Sequence, residues 1–231
     1  MSSPANRRNF IDQLIYTHDY SYNKLVSVYN KNILERSELL SNDYCDTKWL
    51  ERVEKNISAF GLQIYNLRKK QVTSLIHYLN FFLNNFNLSL KISVKLNDKY
   101  YDENLDEEIF IQKLKKNRKI DAMIGGSKIG PHKSDYIFYA NSDYLVSQLS
   151  TGQQKTLILL IFLAQCRYLI EIFKKKPILL LDEICSHLDE INRKILLTLV
   201  ESFDLQIFMT GTTKNLFSFL STNTNFCNIT T

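Results

Sequence analysis

The stretch of residues 148–190 constrains the fold more than any other part of this chain. It contains a polar turn with one glycine, a very apolar helical segment, and a short apolar run at residues 178–181. Pro177 precedes that run and lacks a backbone donor, which suits the start of a strand. A continuous apolar run of this kind is typical of a parallel strand covered on both faces, so the chain is predicted to be an α/β protein.

Two acidic residues, Asp182 and Glu183, follow the apolar run directly. Parallel sheets bind ligands at the carboxyl ends of their strands, so the pair lies where chemistry is expected. One carboxylate can hold Mg²⁺ directly or through water, and the other can orient or deprotonate an attacking water. Taken alone, however, an apolar run followed by two acidic residues more often describes a strand that merely ends in solvent.

The segment upstream of the strand favours the catalytic interpretation. A helix start there carries a hydroxyl, a glycine and free amides, at Ser150, Thr151, Gly152 and Gln153. The unpaired N–H groups of a helix start, together with the positive end of the helix dipole, attract phosphate. A phosphate-bearing ligand with its Mg²⁺ would therefore suit both the helix start upstream of the strand and the two carboxylates that follow the strand.

These motifs together resemble the signature motif, Walker B motif and D-loop of ATP-binding-cassette (ABC) ATPases. The sequences STGQQK at residues 150–155 and LLLDEICSHLDE at residues 179–190 resemble the corresponding motifs of the RecF family of recombination-mediator ATPases. Further RecF-like segments occur in family order, at residues 6–12 (NRRNFID), 130–135 (GPHKSD) and 209–212 (MTGT). The resemblance covers almost the whole chain.

The resemblance implies a fold and a set of site residues. The fold is α/β: the C-terminal part of an ABC-type ATPase head, with a mostly parallel sheet flanked by helices and an inserted helical lobe. Asp182 is expected to hold Mg²⁺, and Glu183 to polarise the attacking water. The residues expected to contact ATP, across a dimer, are Ser150, Thr151, Gly152, Gln153, Ser186 and Asp189. His187 either shapes the dimer seam or is only a neighbour of the next helix start.

The resemblance also implies a function in DNA replication and recombinational repair. The expected ligands are ATP with Mg²⁺ and single-stranded or gapped DNA, and the expected activity is slow ATP hydrolysis. The expected partners are a second copy in an ATP-dependent homodimer and RecO- and RecR-type mediators, which together load the recombinase in the cytoplasm. The alternative is a truncated, non-enzymatic module that binds DNA or a partner protein.

No segment of this sequence matches a Walker A phosphate loop. RecF-like proteins carry that loop in a lobe before the segment that resembles residues 6–12, so this chain is expected to lack the lobe. Because the Walker A amides and lysine supply most of the phosphate contacts, the chain alone is expected to bind ATP poorly. The apolar layers at residues 157–164 and 178–181 are expected to be poorly covered, which favours association.

Residues 1–86 are predicted to form a helical lobe, and residues 87–231 the C-terminal ATPase subdomain. Apolar residues three and four apart indicate two long helices, at about residues 20–40 and 46–84. Asp46 is a suitable N-cap for the second of these helices. A short polar turn between two such helices predicts an antiparallel hairpin arm.

The remaining elements are predicted from alternation and turn residues. Strands are expected at residues 87–96, 136–140, 205–210 and 226–229, and a helix at residues 188–203. Asn104 and Glu107 resemble a capping box, and residues 125–128 are interpreted as a flexible turn. The hydroxyl of Thr210 either positions water or phosphate, or only caps its strand.

The basic run at residues 113–119 allows two interpretations. It is expected to end a helix, where cations stabilise the negative end of the dipole. Alternatively it contacts DNA phosphates, through Lys115, Lys116, Arg118 and Lys119. The net charge of +5 permits contact with nucleic acid without demonstrating it.

The cysteines and the apolar segments indicate the cellular compartment in which the protein is expected. Four cysteines are scattered without a C-x-x-C pair, which argues against a disulfide framework or a zinc site and fits a reducing cytosol. The N-terminus shows no apolar signal sequence. The longest apolar run, residues 157–164, is too short to span a bilayer, so no membrane association is expected.

Overall fold

The structure is a computed structural model that describes residues 3–42, 46–141, 144–183, 190–203, 205–220 and 224–228. The chain forms two compact units. Unit 1 comprises Met1–Ile76 and Lys91–Ser147, and unit 2 comprises His77–Leu90 and Gln148–Thr231. This division differs from the predicted boundary after residue 86, because residues 91–147 cluster with the long helices. The assignment of separate roles to the two predicted domains stays a prediction.

Four helices form most of unit 1: α1 (Pro4–Tyr16), α2 (Ser21–Ser41), α3 (Thr47–Asn85, whose last turns belong to unit 2) and α4 (Glu107–Ile124). The two predicted arm helices, α2 and α3, are confirmed. Asp46 caps α3 as predicted, since its Oδ1 accepts hydrogen bonds from the N–H groups of Lys48 (2.9 Å) and Trp49 (3.1 Å). The carboxylate thereby satisfies donors that have no partner inside the helix.

Unit 1 also contains a three-stranded antiparallel sheet in the order β1-β2-β3. The strands are β1 (Ile92–Asn97), β2 (Asp135–Ala140) and β3 (Tyr144–Leu145). The register pairs Ile92 with Ala140, and Asn97 with Asp135. The predicted strand at residues 87–96 therefore begins late, because regular pairing with β2 starts only at Ile92. Just before it, the N–H of Lys91 donates to the side-chain oxygen of Asn141 (2.8 Å) rather than to a backbone carbonyl. The strand predicted at residues 136–140 is confirmed.

Helix α4 starts and ends at different residues from those expected. Its N-cap is Asp106, whose Oδ1 accepts from the N–H of Ile109 (2.7 Å), so the predicted Asn104–Glu107 capping box is wrong. The N–H of Asn104 instead donates to Asp102 in the preceding turn (2.9 Å). The helix ends at Gly125, which takes the left-handed conformation (φ 65°). The basic run therefore lies inside α4, and the helix-end interpretation of its charge is also wrong.

A buried arginine joins three helices of unit 1. Arg36 of α2 pairs with Glu54 of α3 (3.0 Å) and with Asp121 of α4 (2.8 Å), and it donates to the carbonyl oxygen of Leu114 (2.9 Å). All three charged side chains are at most 1% exposed. Removing one member of such a buried group leaves uncompensated charge, which typically costs about 3–5 kcal/mol. The pairing therefore fixes how α4 packs against α2 and α3.

A second arginine, Arg68 of α3, connects α1 to the loop that precedes β2. Its guanidinium binds both carboxylate oxygens of Asp12 (2.8 Å each) and donates to the carbonyl oxygen of Pro131 (2.6 Å). Tyr22 of α2 donates to the same carboxylate (2.6 Å). Arg68 thus bridges the predicted RecF-like segments at residues 6–12 and 130–135, which also contact each other directly through Arg7 and Asp135 (2.7 Å).

In its described residues, unit 2 contains a parallel strand pair, further helical elements and the last turns of α3. The strands are β4 (Leu179–Leu181) and β5 (Ile207–Met209), and the helices are α5 (Thr151–Phe173), α6 (Glu190–Phe203) and a 3₁₀ turn at Lys214–Phe217. Leu179 pairs with Ile207, and Leu181 with Met209. Both predicted strands are confirmed in shorter form. Residues 224–228 are not a strand, and the remaining residue of the strand predicted at residues 226–229 lies outside the described residues.

Helix α5 is the main core helix of unit 2. Its buried side chains include Leu157, Leu160, Leu163, Ala164 and Leu169. By length and composition alone the helix could cross a membrane, contrary to the expectation based on residues 157–164. Just over half of its apolar window (56%) is buried inside the protein, and a core helix meets the same criteria. The helix therefore gives only weak support for a membrane span.

One face of the parallel pair β4–β5 is open to solvent. Leu180 is 71% exposed, and its cross-strand partner Phe208 is 53% exposed. Ile158 and Phe162 on α5 are also exposed. The expectation that the layers at residues 157–164 and 178–181 leave apolar surface uncovered is confirmed for these side chains.

Candidate nucleotide site

The carboxyl ends of β4 and β5 form one acidic edge in unit 2. The parallel pairing places Asp182 and Glu183, after β4, next to Thr210, after β5. The hydroxyl of Thr210 donates to Oδ1 of Asp182 (2.5 Å) and accepts from the N–H of Glu183 (2.9 Å). The N–H of Thr210 also donates to the carbonyl oxygen of Leu181 (3.1 Å). One hydroxyl therefore links both predicted catalytic residues.

Glu183 has an unusual backbone conformation. Its φ of 50° lies in the left-handed region, which costs a non-glycine residue about 1–3 kcal/mol. Such conformations persist where neighbouring contacts hold them, and here the Thr210 hydroxyl accepts the Glu183 N–H. Asp182 and Glu183 are both exposed, so their oxygens can reach an ion or a ligand from solvent.

The donor set fits Mg²⁺ bound together with a nucleotide rather than Mg²⁺ alone. Two carboxylates at one edge are hard oxygen ligands, and Mg²⁺ in nucleotide sites usually combines one or two carboxylates with phosphate oxygens and water. Within the described ranges, no group of three or more His, Cys, Asp or Glu side chains could hold a metal ion. Phosphates and water would therefore have to complete the coordination.

The predicted phosphate-binding segment lies at the start of α5. Ser150 is the N-cap: its Oγ accepts from the N–H of Gln153 (3.3 Å), while Oε1 of Gln153 accepts from the N–H of Ser150 (3.1 Å). This reciprocal capping box commits both side chains to the helix start itself. The N–H groups of Thr151 and Gly152 lie in the first helical turn, where the residues four positions earlier are outside the helix, so they are the donors that a phosphate would use.

Gly152 leaves open space in front of this helix start. A Cβ at this position would meet no atom within 4 Å, and its backbone conformation does not require glycine. The glycine therefore has no packing role inside the chain. Its small size allows an external group to approach the helix start closely, as the predicted signature function needs.

The structure does not unite all of the predicted site residues. It shows them in two groups: Asp182 and Glu183 bind the Thr210 hydroxyl, whereas Ser150 and Gln153 bind each other in the capping box. Ser186, His187 and Asp189 lie outside the described residues. Their predicted roles at a dimer seam stay predictions.

The four predicted DNA-contacting residues of α4 differ in their surroundings. Arg118 forms two hydrogen bonds with the buried carboxylate of Glu54 (3.0 and 2.6 Å), and Lys115 pairs with Glu51 (2.9 Å). The Lys115 ammonium lowers the pKa of Glu51. Lys116 and Lys119 are exposed. Arg118 is therefore part of the helix packing and Lys115 is held in its ion pair, so Lys116 and Lys119 are the better candidates for an external contact.

The contact between Thr210 and Asp182 was not predicted. Sequence reasoning left the hydroxyl either positioning water or phosphate or capping its strand. The structure instead shows it bound to a carboxylate of the neighbouring strand. The signal that could have found it is a hydroxyl residue directly after a short apolar strand that runs parallel to the strand of Asp182.

Comparison with known proteins identifies relatives along most of the chain. A family model described as the RecF/RecN/SMC N terminal domain matches residues 56–229. The DNA replication and repair protein RecF of Rickettsia bellii (strain OSU 85-389) is 33% identical over 215 residues, covering 92% of this chain and 60% of the relative. The same protein of Rickettsia massiliae (strain Mtu5) is 32% identical over 214 residues, covering 91% of this chain and 59% of the relative.

A solved structure described as the recombination mediator protein RecF with ATP in the RecFOR pathway is similar to this fold. Its TM-score is 0.79 at 26% identity, covering 92% of this chain and 58% of that chain. This similarity confirms the predicted ABC-type head fold. The chain spans about 60% of the length of the curated relatives it matches. From the family model, the relatives and the fold together, we conclude that the chain belongs to the RecF/RecN/SMC N-terminal domain family and is a homologue of RecF.

Proposed function

We propose that this chain supplies the acidic edge and the signature helix of a magnesium–ATP site in a RecF-type DNA replication and repair protein. The observation that carries the proposal is the joining of Asp182 and Glu183 by the Thr210 hydroxyl at the carboxyl ends of two parallel strands. Asp182 holds Mg²⁺, which neutralises phosphate charge during hydrolysis. Glu183 orients and polarises the attacking water.

The start of α5 binds the γ-phosphate of a nucleotide held by a second copy. Thr151 and Gly152 donate their N–H groups, and the capping box of Ser150 and Gln153 keeps the first turn in place for that contact. The open space at Gly152 supports this role, because the phosphate must approach the backbone closely. A homodimer would then form only while ATP lies between the two copies.

The proposed biological setting follows the relatives. The Rickettsia proteins are named DNA replication and repair proteins, and the solved structure contains ATP and is assigned to the RecFOR pathway. For this chain we accordingly propose cytoplasmic action in recombinational repair of damaged DNA. The substrates are single-stranded or gapped DNA, and RecO- and RecR-type mediators are the partners in recombinase loading.

Paramagnetic NMR of the isotope-labelled chain tests the nucleotide site. Mn²⁺ replaces Mg²⁺, and its unpaired electrons broaden the signals of nearby nuclei. Adding Mn²⁺ with ATP should broaden the amide signals of Asp182, Glu183 and Thr210 before those of the rest of unit 2. Asp182→Asn should abolish this selectivity. The exposed carboxylate of Glu103, which lies in unit 1, provides a matched control as Glu103→Gln.

The same titration separates the enzymatic proposal from the alternative of a non-enzymatic module. Uniform broadening, or broadening unchanged by Asp182→Asn, would rule out the proposed magnesium–nucleotide edge in this chain. If the chain then still bound a single-stranded oligonucleotide, the module would be the remaining function.

A further inference from the structure

Helix α4 exposes an apolar cluster bordered by lysines that the nucleotide site does not use. Its members, called the α4 patch, are Lys116, Lys119, Ile120, Met123, Ile124 and Lys128. The five helical members recur three or four residues apart and therefore share one face of α4. The opposite face carries Phe110, Leu114 and Asp121, which are buried in unit 1.

The three apolar side chains of the α4 patch are exposed to solvent. Ile120 is 42% exposed, Met123 is 85% exposed and Ile124 is 49% exposed. Single exposed apolar residues are ordinary on protein surfaces, but three adjacent ones indicate an interaction site. Methionine is enriched at protein interfaces, because its flexible side chain adapts to irregular partners.

The α4 patch is held rigidly by the buried charges beneath it. Asp121 binds Arg36 through one oxygen (2.8 Å), and its other oxygen accepts the N–H of Lys128 (3.0 Å). The second contact fixes the backbone of Lys128 beside the end of α4. A preformed surface needs little ordering when it binds, which favours affinity.

The charges around the apolar residues select the kind of partner. Lys116 and Lys119 lie one turn before Ile120 and Met123, and Lys128 lies beyond the helix end. The nearby carboxylate of Asp121 is buried in its ion pair and does not neutralise them at the surface. Two copies of this patch facing each other would bring lysines against lysines, which disfavours self-association here.

We propose that the α4 patch docks a partner protein whose surface offers an apolar cleft flanked by carboxylates. The apolar residues form the centre of the contact, and the lysines form its rim, as in specific protein interfaces. Nucleic acid fits less well, because phosphate binding would place cations rather than isoleucine and methionine at the centre. The inference concerns a protein partner and does not depend on the proposed nucleotide site.

Selection from a displayed library of random peptides tests the proposal on the purified chain. The enriched peptides should combine apolar and acidic residues. A synthetic peptide from the selection, titrated by fluorescence anisotropy, should bind at least about tenfold more weakly to the Met123→Ser/Ile124→Ser chain. The Lys116→Glu/Lys119→Glu chain should weaken binding similarly, and added salt should weaken binding to the unchanged protein.

Two matched controls lie elsewhere on unit 1. Lys24→Glu/Lys31→Glu makes the same charge change at exposed positions of α2, and Leu34→Ser removes an exposed apolar side chain (65% exposed). Neither change should alter peptide binding, and circular dichroism confirms that each variant is folded. The proposal is overturned if selected peptides lack acidic residues, or if the patch variants enrich the same peptides. It is also overturned if Met123→Ser/Ile124→Ser weakens the binding of a single-stranded oligonucleotide as much as the binding of the peptide.

Discussion

At the residue scale, one hydroxyl organises the acidic edge of unit 2. Thr210 satisfies the N–H of Glu183 while donating to Asp182, so it acts on the backbone of one residue and on the side chain of the other. A carboxylate fixed by a hydrogen bond loses less freedom when it binds an ion. The left-handed Glu183 therefore depends on a residue 27 positions away in the chain.

Thr210→Val tests this dependence because valine keeps the shape and removes the hydroxyl. Loss of the hydrogen bonds should lower the free energy of unfolding by about 1 kcal/mol. It should also accelerate hydrogen exchange at the Glu183 amide, measured by NMR. Thr210→Ser keeps the hydroxyl and should behave like the unchanged protein. Equal exchange rates in the valine and serine variants would contradict the role given to Thr210.

Gly130 carries a second residue-scale prediction, because the loop before β2 requires glycine there. Its φ is 128°, and an added Cβ would lie 2.1 Å from the hydroxyl oxygen of Tyr29. Gly130→Ala should therefore lower the free energy of unfolding by about 2 kcal/mol or more, measured by urea titration. Gly126→Ala is the matched control, since nothing lies within 4 Å of its added Cβ. Similar losses in both variants would show that the Tyr29 contact does not decide the effect.

At the scale of elements, the loop between α4 and β2 is fixed by a half-buried neutral histidine. Nδ1 of His132 lies 2.7 Å from the Tyr29 hydroxyl, and Nε2 lies 3.0 Å from the carbonyl oxygen of Ser127. A neutral ring satisfies both contacts if Nδ1 accepts and Nε2 donates. Burial, the largest cause, and the charges of Lys133, Arg8 and Arg68 together lower the pKa of His132 to about 4, against the opposing effect of the hydrogen bond to Ser127.

The histidine predicts how stability depends on pH. Unfolded histidine binds a proton near pH 6.5 and folded His132 only near pH 4, so the unfolded state holds more protons between these values. The free energy of unfolding should therefore fall as the pH is lowered from 6.5 to 4, by at most about 1.4 kcal/mol per pH unit. Asp135, whose pKa Arg7 lowers, loses its contribution at lower pH, outside this window. In His132→Gln this slope should flatten, measured by urea titration at each pH; an unchanged slope would exclude His132 as its source.

Helices and caps could be predicted from the sequence where neighbouring residues alone determine them. The arm helices follow from apolar spacing, and the Asp46 cap follows from its position before that pattern. The start of α4 was not predictable in the same way, because Asn104 and Asp106 are both polar caps two residues apart. The contacts of Thr210 could not be predicted in this way, because they depend on the pairing of two strands that are far apart in sequence. Apolar runs indicate strands but do not identify which strands pair.

At the scale of the whole molecule, the two units differ in which charged and apolar side chains they bury. Unit 1 buries complete ion pairs, including Arg36 with Glu54 and Arg68 with Asp12. Unit 2 leaves the open face of β4–β5 in contact with water. The open face was predictable from the apolar run, whereas the buried pairs were not, since charged residues at helical spacing equally describe a solvated face.

The open face predicts that the isolated chain self-associates. Leu180→Thr/Phe208→Thr removes two exposed apolar side chains from adjacent strands while keeping residues that favour strands. The weight-average mass at increasing protein concentration, measured by sedimentation equilibrium, should then rise less steeply than for the unchanged chain, with unfolding free energy nearly unchanged. Leu181→Thr on the buried face is the matched control: it should instead lower that free energy by about 1–3 kcal/mol, because it places a hydroxyl in the core of unit 2. Concentration dependence that survives the double substitution would mean that association occurs through another surface.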